Sequence, residues 1–152
     1  MTKSLLESYQ KNGQAFIELA KSIPAAKLSL APDANSWSAS FVIHHMADSE
    51  MHFSTRFLFA LADDKPAVAP FNEDIYPIRL NYEKRSAQAS IAAIEGIQLG
   101  IFDILKNIPD GDWQRISIHP ESGELSLSQL IEKAGSHSLA HLGQLKEVIA
   151  AI

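Results

Sequence analysis

The sequence predicts an all-α fold, a four-helix bundle with a long loop after its second helix and a small hairpin before its fourth. Three observations carry this reading. Four long segments place apolar residues at helical spacing, caps or helix-stopping residues bound most of them, and two histidines one turn apart sit on the last segment. A chain of 152 residues built this way suits a single domain over residues 1–152, long enough to bury a core.

Helix one opens on a capping box, Ser4 with Glu7, and continues through Leu5, Leu6, Tyr9, Phe16, Leu19 and Ala20 to Ile23, where Pro24 stops it. Residues 24–36 hold the turn formers Pro32, Asp33 and Asn35. Ser38 then caps helix two, expected over residues 39–61 and carrying His44, His45 and His52. Between Asp63 and Asn81, Pro66, Pro70 and Pro77 forbid a regular helix, although residues 72–76 can form a single turn. The aromatics Phe71 and Tyr76 indicate that this loop packs over something. Helix three is expected over residues 82–107, closed by Pro109, Asp110 and Gly111. Residues 115–118 and 124–126, split by the turn residues 120–123, predict the hairpin. A second capping box, Ser126 with Gln129, opens helix four over residues 127–150.

The formal charge is −5, from 13 Lys and Arg against 18 Asp and Glu, with no basic cluster, so neither nucleic acid nor an anionic membrane is an expected partner. Cysteine is absent, which excludes disulfides, thiolate metal sites and a cysteine nucleophile. Any metal must therefore use nitrogen and oxygen ligands. The N-terminal segment, with Glu18 and Lys21, lacks the apolar core and cleavage site of a signal peptide. No later stretch reaches the roughly 20 apolar residues of a membrane helix. The expectation is a soluble, cytoplasmic protein.

His137 and His141 lie about 40° apart around a helix axis and about 6 Å along it, so both imidazoles leave one face in the manner of a two-histidine metal clamp. They share their stripe with Leu130, Ala134, Leu145 and Val148, which equally suits inert core or interface histidines. Ser138 follows His137, so the glutamate base of the zinc-protease H-E-x-x-H pattern is missing. A stable site wants a third ligand, and bundles supply it from a facing helix. His44 and His45 are the obvious donors. Neighbouring helical residues differ by about 100° in direction, so one of the two points inward, and periodicity does not choose between them.

The run from Trp37 through Phe41, His44, His45, Ala47, Asp48 and Ser49 to Glu50 resembles the start of helix two in the DinB-like superfamily of four-helix-bundle metalloenzymes. Within it the likeness is to the YfiT-type branch, described broadly as metal-dependent hydrolases. The loop over residues 65–73 and the His119-Pro120 turn are similar to that branch too, and the resemblance extends from Trp37 to Leu145. It implies a divalent metal, zinc or nickel, held by His45, His137 and His141, with His44 left to packing or a supporting contact. It also implies a homodimer. Two departures stand out: Glu50 replaces a histidine common in YfiT-like sequences, and the last helix has fewer histidines around the pair. Neither position is an expected ligand, so both bear on substrate roles.

Three imidazoles leave a dication open to water, whose pKa is then pulled toward about 7. That suits a hydrolase acting on a small-molecule substrate. The alternative implied by the resemblance is a thiol-dependent S-transferase or isomerase, which must import a low-molecular-weight thiol. A further alternative is a non-catalytic helical dimerisation or stress-response module with structural metal or none, for which His119 is the candidate fourth ligand. Asp48, three residues after His45, is the candidate base or the carboxylate that orients an imidazole, with a solvated surface carboxylate as the other reading. His52 and Arg56 are candidate cleft residues, Arg56 as an anchor for an anionic substrate, with a surface histidine and a solvent-facing arginine as the ordinary readings, and Trp37 reads as packing at the start of helix two.

Overall fold

A computed structural model describes residues 2–152. Its long helices are α1 (Thr2–Ser22), α2 (Ala39–Ala62), α4 (Ala87–Leu105) and α5 (Leu127–Ala151), with a one-turn helix α3 (Tyr76–Arg79) between the second and third of these. Around the bundle, α1 touches α5 and α4, and α2 touches the same two, so α1 faces α2 across one diagonal and α4 faces α5 across the other. Adjacency of α2 and α5 places the histidines of the two helices on one seam.

Local chemistry explains most boundaries. The Ser38 hydroxyl accepts from the Phe41 amide at 3.4 Å, and at α5 the capping box is complete: Gln129 N–H donates to Ser126 Oγ at 3.2 Å while Ser126 N–H donates to Gln129 Oε1 at 2.8 Å. Three expectations need correction. Helix α1 already includes Thr2, so Ser4 lies inside its first turn rather than at its cap. The third long helix begins at Ala87, five residues late. Asn81 takes a left-handed conformation (φ 51°), a 3-10 turn follows over Tyr82–Lys84, and Ser86 caps the helix by accepting from Ala89 N–H at 3.2 Å. Pro77 does not exclude helix but sits in the first turn of α3, where its missing N–H is no loss.

The hairpin pairs β1 (Ile116–His119) with β2 (Gly123–Ser126), antiparallel, and Gly123 supplies the positive φ (71°) of its turn. The long loop is tied to it, since Val68 N–H donates to Ile118 O at 3.0 Å and Ile118 N–H to Pro66 O at 2.8 Å. Arg115 binds the carbonyls of Ala60 and Asp63, each at 2.7 Å, which closes the C-terminal end of α2.

The core divides in two. One part gathers Phe16, Ile43, Met46, Ile94 and Leu145, the other Tyr9, Phe57, Leu105, Leu130 and Ile131. Helix α4 meets the length and composition of a membrane span, with a mean hydropathy of 1.3, contrary to the sequence expectation that no stretch does. Here it is a bundle helix whose Ile91, Ile94, Ile101 and Leu105 turn inward.

Candidate metal centre

His45 of α2 and the His137/His141 pair of α5 converge between the two halves of the core. Their Nε2 atoms stand 3.0 Å (His45 to His141), 3.1 Å (His45 to His137) and 3.1 Å (His137 to His141) apart. The adjacent-histidine ambiguity is resolved by packing. His45 faces α5, while His44 turns to α4 and meets Ser90 Oγ through Nδ1 at 2.8 Å. His44 packs edge-on against Tyr82, the role left to it when His45 is the ligand.

All three cluster rings are driven toward neutrality by burial. Loss of hydration lowers His45 to about 3, helped by His141; it lowers His137 to about 3, helped by His141 and His45. His141 is lowered too, by desolvation, against the opposing pull of Gln144 and Glu73. Gln144 Oε1 lies 2.7 Å from His141 Nδ1, which fixes the proton on Nδ1 and leaves the Nε2 lone pair for the centre of the cluster. A metal is therefore fitted by the donor set itself. Three neutral nitrogens about 3 Å apart are within reach of one cation at the usual zinc–imidazole length of about 2 Å. Without a cation, three lone pairs on such a triangle cannot all be satisfied by one another's protons.

Aromatic rings wall the cluster. Trp37 lies 5.3 Å from the His45 ring, Phe71 5.5 Å from it, and Phe53 5.7 Å from His137. On the remaining side a cleft of about 630 Å³ reaches His141, with Trp37, Glu73, Asp74, Gln144 and Glu147 in its lining. Trp37 thus does more than the packing expected of it. Glu73, on the long loop, brings Oε2 to 4.0 Å from His45 Nε2, and it was not singled out in the sequence. Loop residues carry no periodicity that could have flagged it, and the only signal was its place at the end of the loop shared with the YfiT-type branch. Gln144, three residues after His141, was legible in principle from its spacing.

Other candidates lie elsewhere. Asp48 does not touch the cluster; it is buried, accepts from Tyr82 OH at 2.6 Å and pairs with Arg85 at 2.8 Å, so it is not a solvated surface group and its carboxylate is engaged away from the three rings. His119 sits on the hairpin, where its Nδ1 accepts from the Glu121 amide at 3.2 Å, and it is no fourth member of the cluster. His52 meets Tyr76 OH at 2.6 Å and packs against Phe71 with tilted rings at 4.8 Å, one ring removed from the cluster. Arg56 is 9% exposed and donates to Ala69 O at 2.7 Å, facing a different pocket. Glu50 points into the bundle, where Tyr9 OH reaches it at 2.9 Å and Gln98 Nε2 at 3.1 Å.

The profile of the DinB superfamily matches residues 8–145. The chain belongs to the DinB superfamily. Among relatives of this DinB-superfamily chain, one from Oceanobacillus iheyensis is 30% identical over 115 residues, covering 74% of this chain and 66% of the relative, and its name proposes a metal-dependent hydrolase. Another, from Geobacillus thermodenitrificans, is 27% identical over 116 residues, covering 73% and 65% respectively, and is named in the same way. The chain thus spans about two thirds of those relatives' length. The fold is that of YfiT from Bacillus subtilis, a four-helix bundle of unusual topology proposed as a metal-dependent hydrolase: the TM-score is 0.82 at 18% identity, covering 98% of this chain and 87% of YfiT. A mycothiol-dependent maleylpyruvate isomerase shares the fold at a TM-score of 0.76 and 11% identity, covering 95% of this chain and 60% of the isomerase.

Proposed function

We propose that the chain is a metal-dependent hydrolase of a small-molecule substrate, with zinc or nickel held by His45, His137 and His141. The observation that carries this reading is the triangle of three neutral Nε2 atoms, 3.0–3.1 Å apart, at the end of an open cleft. Structural zinc is normally closed by four protein ligands, and no fourth joins this cluster among the described residues, which favours a catalytic role over a structural one. A bound cation supplies Lewis acidity and lowers the pKa of a water at its open position.

The chain's own residues do the rest. Gln144 holds His141 in the tautomer that presents Nε2, and Trp37 and Phe71 keep bulk water off the His45 ring. Glu73, beside His45 on the cleft side, would take up the proton that a water releases as its oxygen bonds to the substrate and return it to the departing group as the scissile bond breaks. A second reading keeps the site and changes the nucleophile to an imported thiol. The fold shared with a mycothiol-dependent isomerase supports that variant, and since the sequence has no cysteine the thiol would have to be imported.

Elemental analysis of untagged protein, wild type against the double variant His137→Ala/His141→Ala, is the first test. Near-stoichiometric metal in the wild type, lost in the variant, is expected; equal, negligible metal in both after reconstitution would sink the reading. With a substrate found by screening esters, amides and thiol transfers, Glu73→Gln is expected to keep its metal and lose about a hundredfold or more in kcat.

A further inference from the structure

Beyond Phe71, which packs on both His45 and His52, a second pocket of about 190 Å³ opens between α2 and the long loop. The metal cleft and this pocket share no lining residue. Their charge is opposite: Glu73, Asp74 and Glu147 line the cleft, whereas Arg56 is the one residue of formal charge among the described residues lining the pocket. His52, also in its wall, is kept neutral mainly by burial and then by the field of Arg56.

Arg56 is 9% exposed and has few partners. Of the five N–H groups of its guanidinium, one is used among the described residues, toward Ala69 O at 2.7 Å. Its Nε is buried without a partner, and among the described residues no carboxylate lies within 4.0 Å of it. The face of Phe53, 5.5 Å from Cζ, lies beside the cation, and the exposed Glu121 acts on it through its field alone. A guanidinium this buried normally has a carboxylate, because an unpaired buried charge is costly and Arg is the side chain best shaped to take an oxyanion in two parallel hydrogen bonds.

We propose that this pocket binds a small oxyanion, a carboxylate or phosphate group, on the unused N–H groups of Arg56. Its volume holds such a group, and Met51, Phe59 and Val68 give it the apolar wall that strengthens a charge-assisted hydrogen bond. The site stands apart from the metal, so it is independent of the hydrolase reading.

The test titrates inorganic phosphate, and separately acetate, into the full chain by calorimetry, with thermal stability followed in parallel. Two variants accompany the wild type. Arg56→Met removes the charge and keeps the stem; Thr55→Glu, at an exposed position in the pocket wall, offers the guanidinium an internal carboxylate and leaves Arg56 in place. Saturable one-to-one binding to the wild type, weakened about tenfold or more in both variants, is the expected result, and the tighter of the two anions names the class. Absence of saturable binding to wild type, or equal binding in wild type and Thr55→Glu, overturns the proposal even if Arg56→Met fails to fold. Metal content unchanged by Thr55→Glu separates this outcome from any failure of the metal centre.

Discussion

Glu50 joins three other helices to α2 through one carboxyl group. Tyr9 of α1 donates to it at 2.9 Å, Gln98 of α4 at 3.1 Å, and Ser138 of α5 stands 3.4 Å away. The Ser138 hydroxyl has one proton and a shorter acceptor, Ala134 O at 3.0 Å, so a protonated Glu50 satisfies this network better than a carboxylate does. Burial raises the Glu50 pKa and outweighs its hydrogen bonds, and among the described residues no cation pairs with it. The folded state therefore holds this proton at pH values where the unfolded chain has released it, and the associated stability is lost as pH rises from the ordinary glutamate range. Glu50→Gln should melt higher than wild type at neutral pH and lose that alkaline slope; a lower melting temperature there would show that the carboxylate form is the one the bundle wants. At the metal centre, Gln144→Leu removes the acceptor for His141 Nδ1 and is expected to weaken zinc or nickel binding about tenfold to a hundredfold in a chelator competition.

Helix packing makes the same network possible. A Cβ placed on Gly13 of α1 would come within 1.9 Å of the Gln98 carboxamide of α4, so glycine here is a matter of space and not of backbone conformation. Gly13→Ala should therefore push the Gln98 carboxamide off Glu50, and the lost buried hydrogen bond, partly offset by the better helix propensity of Ala, should lower stability by about 0.5–1.5 kcal/mol in urea titrations. Adding Gln98→Ala should recover part of that loss, since the steric conflict disappears with the longer side chain; strict additivity of the two changes would contradict the contact. The cap residues made two helix starts legible in sequence, Ser38 before α2 and Ser126 with Gln129 before α5. At α4 the apolar pattern ran on through Tyr82, which is buried in a 3-10 turn, and masked the true cap at Ser86.

Across the whole molecule, buried histidines set the acid limit of the metal-free fold. His45 and His137 are lowered from 6.5 to about 3 and His44 from 6.5 to about 4, chiefly by desolvation. Unfolded chains take up these protons as pH falls through 6.5, and the folded chain does not until near 4 and 3. Stability from these groups is thus complete above pH 6.5 and lost progressively below it. Thermal melts of metal-free protein should fall steadily between pH 7 and pH 4, and bound metal, which needs the neutral rings, should raise the melting temperature most at the upper end of that window. A flat profile would mean that the cluster histidines titrate alike in both states.

Helix periodicity, caps and the four-residue spacing of His137 and His141 are local quantities, so the sequence alone determined the bundle, its hairpin and the two-histidine face. What depends on residues far apart in the chain was decided by packing. The orientation of α2 against α4 and α5 sent His45 to the cluster and His44 to Ser90, a choice that residue spacing could not make. It drew Asp48 toward Arg85, 37 residues away, because a buried carboxylate is held by the nearest cation and not by the helical neighbour three residues behind it. It also laid Glu73 beside His45, since an aperiodic loop is positioned by what it covers.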